Sequence, residues 1–154
     1  MKSITIATLL IIASVIAFSS CSKDEFPPYD NPFFSINVDN KDTVYVQYNR
    51  KDTVDYNIYL SAKLQFEPID VTYDAIIGNG LQAGKDFELI NTTKTLNFPN
   101  GIFQRPVRIV WKENPVDPSK NNSIIIKILS NTKNYTIGLP GPDKKQSQLV
   151  IIKR

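Results

Sequence analysis

The chain has 154 residues and a formal net charge of +3, with one cysteine and no histidine. Without histidine, neither a Ser-His-Asp nor a Cys-His nucleophilic site can be built, and zinc sites made of His and Cys ligands are excluded as well. A single cysteine cannot form a disulfide within the chain. The near-neutral charge does not indicate a polyanionic partner, so we expect no nucleic acid partner. We also expect no cofactor.

Residues 1–20 are predicted to be a secretory signal peptide. Lys2 supplies a positively charged start, and residues 4–18 form an uncharged apolar run. This run is shorter than the roughly 20 apolar residues that a membrane-spanning helix needs, and it is followed by small residues instead of basic ones. The alternative is a permanent helix in the bilayer.

The sequence Phe18-Ser19-Ser20-Cys21 resembles a bacterial lipobox, in which small residues precede a cysteine. The resemblance implies that the thiol of Cys21 is lipidated and that Cys21 becomes the first residue of the mature chain. Bacterial lipoproteins typically carry three acyl chains on this cysteine, which is enough for stable anchoring. We therefore expect a domain tethered to a membrane by a lipid anchor. The alternative is a cysteine that is lost with the signal peptide.

The residues that follow the cysteine include a charged cluster, Lys23-Asp24-Glu25, with one lysine and two acids. It resembles the export signal of Bacteroidetes-type surface lipoproteins, which directs them to the outer face of the outer membrane. The resemblance implies a protein that faces the cell exterior. The alternative is a solvated, charged tether.

Residues 21–32 are predicted to be an extended tether, because they contain Pro27, Pro28 and Pro32 with charged residues and no apolar periodicity. At about 3.1 Å per residue, such a segment lifts the following domain roughly 30 Å from the lipid. Residues 33–154 have the length of one domain and can bury a sizeable core without disulfides.

From Phe33 onward, apolar residues recur at every second position, which is typical of half-buried β-strands. No window shows the period of an amphipathic helix of ten or more residues. Short strands at regular spacing with turn signals between them predict an all-β sandwich. The predicted strands carry, in chain order, Phe34, Ile36 and Val38; Val44, Val46 and Tyr48; Val54, Tyr56, Ile58 and Leu60; Ile69, Val71, Tyr73, Ala75 and Ile77; Leu96 and Phe98; Val107, Ile109 and Trp111; Ile124, Ile126 and Ile128; and residues 149–152.

Two features of these strands predict local structure. Pro106 has no N–H to donate, so its strand is expected to be an edge or to bulge there. The sequence KDTV occurs at residues 41–44 and again at 51–54, which predicts a hairpin whose strands meet at residues 49–51. The same repeats resemble the Asp-(Ser/Thr)-aliphatic motif for O-glycosylation in Bacteroidetes secreted proteins, which makes Thr43 and Thr53 candidate acceptors.

The stretch from Gly84 onward reads "GKDFELINTTKTLNFPNGIFQRPVRIVW", followed by "NSIIIKILSN", "YTIGLPGP" and "SQLVIIKR". It resembles a Calx-beta-like domain, and it is also similar to domains of unknown function in Bacteroidetes surface lipoproteins. The resemblance covers about half of the chain and consists of strands and turns. It implies an immunoglobulin-like (Calx-beta-like) antiparallel β-sandwich of seven to nine strands.

Calx-beta domains bind calcium through acids at one end of the sandwich, and the resemblance makes Asp86, Glu113 and Asp117 the corresponding residues here. Calcium takes six to eight oxygen ligands. Because this set is sparse and two lysines accompany it, we expect no tight calcium binding. Ordinary loop charge is the favoured interpretation, and a degenerate calcium site is the alternative.

We expect a binding module and no enzyme. Asp70 and Asp74 lie four residues apart on the same outer strand face and are predicted to be about 13 Å apart, which is too far for a glycosidase. Tyr45 and Tyr59 lie on polar strand faces and form an aromatic platform if their strands are neighbours. The sequence therefore favours a surface module that binds glycan or protein in nutrient capture or adhesion. The alternative is a structural lipoprotein that assembles through a sheet edge.

Overall fold

The structure is a computed structural model that describes residues 31–154. These residues form ten β-strands and no helix, so the described part contains no helix that could span a membrane. The strands are β1 (Phe33–Ile36), β2 (Thr43–Val46), β3 (Thr53–Ser61), β4 (Ile69–Ile77), β5 (Phe87–Leu89), β6 (Thr95–Phe98), β7 (Gln104–Trp111), β8 (Ser123–Asn131), β9 (Thr136–Ile137) and β10 (Gln148–Lys153).

The strands form two five-stranded sheets that pack as a sandwich. Sheet 1 has the order β5-β7-β3-β1-β9, and sheet 2 has the order β2-β10-β8-β4-β6. Most neighbours are antiparallel, and only β1 with β9 and β2 with β10 run parallel. The predicted all-β sandwich is therefore confirmed.

The predicted count of seven to nine strands is wrong, because the structure has ten. The two additional strands, β5 and β9, contain three and two residues. Such short segments do not repeat the two-residue period often enough to be recognised from sequence.

The core lies between the two sheets and is filled by alternate residues of the long strands. Trp111 is 1% exposed, and its indole N–H donates to the hydroxyl of Tyr56 at 3.1 Å. Phe34 packs edge-on against Phe98 across the sandwich, with ring centroids 5.2 Å apart. Burying side chains of this size stabilises the fold by roughly 1.5–3 kcal/mol each.

The predicted hairpin between the two KDTV repeats is wrong. β2 belongs to sheet 2 and pairs with β10, whereas β3 belongs to sheet 1 and pairs with β1 and β7. The chain therefore crosses from one sheet to the other at residues 47–52. Alternation fixes which side chains face the core, but it is the same for strands in either sheet and so cannot decide pairing.

Pro106 lies in β7, which is an interior strand of sheet 1. The expectation of an edge strand is wrong for β7 as a whole, but β7 has no neighbouring strand on one side at Pro106 itself. β5 pairs with β7 at residues 109–111 and has ended before it reaches Pro106. Beyond that point the side chain of Asn91 replaces it, donating to the Pro106 carbonyl at 3.2 Å and accepting from the Arg108 N–H at 2.7 Å. The proline's missing donor therefore costs the sheet no hydrogen bond.

Candidate functional site

A groove of about 740 Å³ opens at one end of the sandwich, on the outer face of sheet 2. Strand ends form its floor, and the loop between β7 and β8 forms one wall. It is lined by Tyr48, Pro115, Val116, Pro118, Lys120, Asn121, Asn122, Ser123, Val150, Ile152, Lys153 and Arg154.

The floor of the groove is apolar because β10 alternates between the two faces of sheet 2. Leu149 and Ile151 are fully buried in the core, whereas Val150 and Ile152 are half-buried and face outward. Val150 is aligned with Ile125 of β8. The apolar floor therefore continues across the sheet toward β4.

Tyr48 forms the opposite wall and is held there by its backbone. Its N–H donates to the Arg154 carbonyl at 2.7 Å, and its carbonyl accepts from the Asn114 N–H at 3.1 Å. Tyr48 as a residue is 45% exposed. A rigid backbone with an accessible aromatic ring is a good contact surface, because little side-chain entropy is lost on binding.

The β7–β8 loop is ordered by Asp117. Its side chain accepts from the N–H and the hydroxyl of Ser119, and these hydrogen bonds lower the pKa of Asp117 below its ordinary value. Its carbonyl accepts from the Asn122 side chain at 2.7 Å. Asn122 packs against Gly80, where a Cβ would overlap with the amide oxygen. The apolar wall of Pro115, Val116 and Pro118 is therefore preformed.

A positively charged side chain, that of Arg154, lies at the rim of the groove. The guanidinium of Arg154 stacks over the ring of Tyr45, 3.9 Å from the ring centroid. Tyr45 lies next to Ile152 in the pairing of β2 with β10, so this pair borders the apolar floor. The contact covers one face of the Tyr45 ring and holds a positive charge beside the groove.

Beneath the groove, Lys153 extends into the protein instead of toward solvent. Its side chain is fully buried, and its ammonium donates to Asp86 Oδ1 at 3.1 Å and to the Lys112 carbonyl at 2.9 Å. Asp86 Oδ1 also accepts from the Asn114 side chain at 2.8 Å. We call Lys153, Asp86 and Asn114 the buried polar cluster.

The cluster determines the charge state of Asp86. Burial acts to raise the pKa of Asp86, but hydrogen bonds from Asn114, a backbone amide and Lys153 outweigh it. The pKa of Asp86 therefore lies below its ordinary value, and the carboxyl group is ionised at neutral pH.

The predicted aromatic platform of Tyr45 and Tyr59 is wrong, because the two residues belong to different sheets. Tyr45 lies on β2 in sheet 2 and is 53% exposed. Tyr59 lies on β3 in sheet 1 and is half-buried. Only Tyr45 borders the groove.

The acids considered for calcium have separate partners. Asp86 belongs to the buried polar cluster, Glu113 pairs with Lys51, and Asp117 caps its own loop. Within residues 31–154, no three such side chains come together as a metal site. The ammonium of Lys153 occupies the place beside Asp86 that a cation would take.

The other predicted sites stay predictions. Cys21, Lys23, Asp24 and Glu25 lie outside the described residues. Thr43 is half-buried at the start of β2, and Thr53 is exposed at the start of β3. The Thr53 hydroxyl is the more accessible of the two candidate O-glycosylation acceptors.

A second, polar cleft of about 480 Å³ lies between β6 and β7. It is lined mainly by amide, hydroxyl and guanidinium groups, including Asn97, Thr95 and Arg105. Arg108, at its border, is paired with Asp55 at 2.9 Å. The lining is chemically unlike that of the apolar groove.

Comparison with known proteins gives no assignment for this chain. A scan of the sequence against models of known protein families finds no match, and a search of curated proteins finds none either.

Sequence reasoning missed Tyr48, Asn114 and Lys153. Tyr48 was expected to continue β2, but the strand ends at Val46. A signal for Lys153 was present in the alternation of β10, since Leu149, Ile151 and Lys153 share the inward face. Nothing in the sequence indicated that Asn114 approaches Asp86, because the two residues belong to different loops.

Proposed function

We propose that the chain is a bacterial surface lipoprotein, anchored through Cys21, whose sandwich binds a protein ligand without catalysing a reaction. The observation that carries the proposal is the preformed apolar groove on the outer face of sheet 2. Soluble domains rarely leave a preformed apolar concavity open to solvent without a binding role.

The groove chemistry favours a polypeptide segment that carries an apolar side chain beside an acidic one. Val150, Ile152 and Val116 supply an apolar surface, and the Arg154 guanidinium at the rim supplies a donor for a carboxylate. Tyrosine and arginine are enriched among residues that dominate protein interfaces. The bound segment would place its apolar side chain on the floor and its carboxylate near Arg154.

The position of the groove also suits a surface-anchored protein. The chain enters the sandwich at Phe33, which lies beside Ser61 at one end of β3. The groove lies at the other end, where Thr53 of β3 is next to Val110. β3 separates the two ends by about 27 Å, so the tether is attached away from the groove and leaves it open to a ligand.

The strand order supports an immunoglobulin-like sandwich of the kind that the Calx-beta resemblance implies. β1, β3 and β7 are neighbours in the order of immunoglobulin strands A, B and E, and β4, β8 and β10 are neighbours in the order of C, F and G. Such sandwiches commonly serve as binding modules on cell surfaces. Nutrient capture and adhesion are the processes we propose for this chain.

The alternative of assembly through a sheet edge has less support. The outer strands of the two sheets are β5, β9, β2 and β6, and each has only two to four residues. Short edge strands are a common protection against pairing with another chain. A stable edge-to-edge contact would need a longer free strand.

A glycan ligand is the second candidate, and the polar cleft between β6 and β7 favours it. Arg105, Thr95 and Asn97 offer the donors and acceptors that sugar hydroxyl groups require. This cleft lacks an exposed aromatic ring, which sugar-binding sites commonly use for stacking, so we rank it after the apolar groove.

The test is a cross-linking pull-down from intact cells with the wild-type lipoprotein and the groove variant Ile152→Glu, together with a glycan array on the same proteins. A carboxylate on the groove floor should reduce capture of a specific protein at least ten-fold, because its desolvation opposes binding. The matched control is Leu129→Glu, which places the same charge on an exposed residue of β8 outside the groove.

Equal loss of capture by Leu129→Glu would show that the groove is not the site. Glycan binding that survives Ile152→Glu and is lost in Arg105→Ala would replace the protein ligand with a glycan in the polar cleft. Binding of neither class would contradict the proposed function.

A further inference from the structure

The buried polar cluster brings together three groups that complement one another chemically. Lys153 carries a primary amine, Asn114 a carboxamide and Asp86 a carboxylate. The amine nitrogen lies 3.1 Å and the amide nitrogen 2.8 Å from the same oxygen, Asp86 Oδ1. A nucleophile, an acyl group and a proton carrier therefore meet at one atom.

We propose that Lys153 and Asn114 become joined by an amide cross-link, with Asp86 as the acid–base group. This modification differs from the ligand binding proposed above and rests on different residues. It would join β10 covalently to the β7–β8 loop in a domain whose described residues contain no cysteine.

The reaction balances without an external reagent. Asp86 accepts a proton from the Lys153 ammonium, and the neutral Nζ attacks Cγ of Asn114. The Nζ–Cγ bond forms and the Cγ–Nδ2 bond breaks while Asp86 gives its proton to the leaving nitrogen, which departs as ammonia. Asp86 then takes the second proton from Nζ and passes it to the ammonia, so the products are a secondary amide, an ammonium ion and the regenerated carboxylate.

Burial prepares the site for the first step. Lys153 and Asp86 have side chains that are 0% and 4% exposed, so water does not compete with the Lys153 nitrogen for Asn114. The surrounding hydrogen bonds keep Asp86 ionised, and its carboxylate is therefore available to accept the Lys153 proton. Asp86 lies within hydrogen-bond reach of both nitrogen atoms, which is the placement that general acid–base catalysis requires.

Fixed geometry supplies the second advantage. The Lys153 ammonium is held by the carbonyl of Lys112, two residues before Asn114. The Asn114 backbone is held by the carbonyl of Tyr48 at 3.1 Å. Holding both reactants in place converts their encounter into an intramolecular reaction, which is greatly accelerated.

The sequence also blocks the usual competing reaction of asparagine. An asparagine commonly loses ammonia when the backbone nitrogen of the next residue attacks its side chain. Asn114 is followed by Pro115, whose nitrogen carries no hydrogen. Loss of ammonia from Asn114 therefore reports on attack by another nucleophile.

The test is a tryptic digest of the full-length protein purified from membranes, analysed by mass spectrometry under denaturing and reducing conditions. The cross-link should join peptide 113–120 to peptide 146–154, with a mass that is one ammonia below the sum of the two. Fragment ions should place the link between Asn114 and Lys153. Cleavage after Lys153 should be lost, because trypsin does not recognise an acylated lysine.

Three variants separate the cross-link from other losses of ammonia. Lys153→Arg and Asn114→Ala should each give the two peptides unlinked, and Asn114→Ala changes only a half-buried loop residue, so it should still fold. The control Asn100→Ala removes an exposed loop amide elsewhere and should leave the linked peptide unchanged.

Two results would overturn the proposal. One is recovery of both peptides, unlinked, at full yield from the wild-type protein. The other is a link between Lys153 and Asp86 with loss of one water, which would make Asp86 the acyl group instead of the proton carrier.

Discussion

Tyr56 and Trp111 meet in the core through one hydrogen bond, and both side chains are almost completely buried. Burial raises the pKa of Tyr56 to about 12 from its ordinary value of 10.0, and the hydrogen bond from Trp111 opposes that shift. At the scale of single residues, the core therefore depends on a hydroxyl group that must stay protonated.

Tyr56→Phe is predicted to destabilise the domain by about 1–3 kcal/mol at neutral pH, because the indole N–H loses its buried acceptor. Between about pH 10 and pH 12, the native state keeps the Tyr56 proton that the unfolded state loses. The wild-type advantage should therefore be complete below pH 10 and decline as the pH rises toward 12. Urea unfolding of both proteins at a series of pH values measures this difference in the free energy of unfolding.

Tyr45→Phe, at an exposed tyrosine, is the control for that experiment and should follow the wild type throughout. If the difference between wild type and Tyr56→Phe stayed constant up to pH 12, burial of the Tyr56 hydroxyl would not control its ionisation.

At the scale of elements, turns position the short strands. Gly138 follows β9 with φ +85°, and its N–H donates to the Phe34 carbonyl at 2.8 Å. A Cβ at this residue would lie 2.4 Å from the Lys144 carbonyl oxygen. Gly84 has nearly the same φ, +82°, but nothing lies within 4 Å of its Cβ position.

This matched pair predicts different costs for the same substitution. Gly84→Ala should destabilise the domain by about 1–2 kcal/mol, which is the cost of a left-handed backbone for alanine. Gly138→Ala should cost clearly more, because the Lys144 backbone must also move. Thermal unfolding of the two variants measures the difference, and equal midpoints would mean that the turn after β9 adapts freely.

At the scale of the whole molecule, the predicted anchor lies outside the described sandwich. The ten strands of residues 31–154 begin at Phe33, after the predicted lipidation site. Cys21→Ser is therefore expected to abolish lipidation and membrane fractionation while leaving the domain folded. Detergent-phase partitioning and circular dichroism measure both effects. A variant that still partitions with lipoproteins would contradict the anchor.

The signal that exports the protein to the cell surface is predicted to consist of Lys23, Asp24 and Glu25. Replacing all three with alanine should move the protein from protease-accessible to protected on intact cells, because the export signal would be lost. Protease treatment of whole cells measures this, with the unchanged lipid anchor as an internal control. Unchanged protease accessibility would show that these residues are part of the tether and not an export signal.

We predict no shift in the melting temperature at millimolar calcium. Asp86 is occupied by Lys153, and Glu113 and Asp117 have their own partners, so a shell of six to eight oxygens is not assembled. A ligand at 100 times its dissociation constant would stabilise by about 2.7 kcal/mol and raise the midpoint by several degrees. Such a rise, absent in Asp117→Asn, would restore a calcium site.

The sequence by itself determined the all-β class and most strands, because alternation of apolar residues records which side chains face a core. It correctly predicted β3 and β4, where four or more apolar residues alternate. Trp111 was expected in the core for the same reason. The predicted lipid anchor and the predicted export signal also come from the sequence alone, since both depend on short linear motifs.

Only the tertiary structure decided which strands pair and which loops meet. Alternation is identical for β2 and β3, yet they lie in different sheets, and so the predicted hairpin and the Tyr45–Tyr59 platform failed. Lys153, Asp86 and Asn114 come from three separate segments of the chain. Their contact depends on long-range packing between the sheets, which a local sequence pattern does not encode.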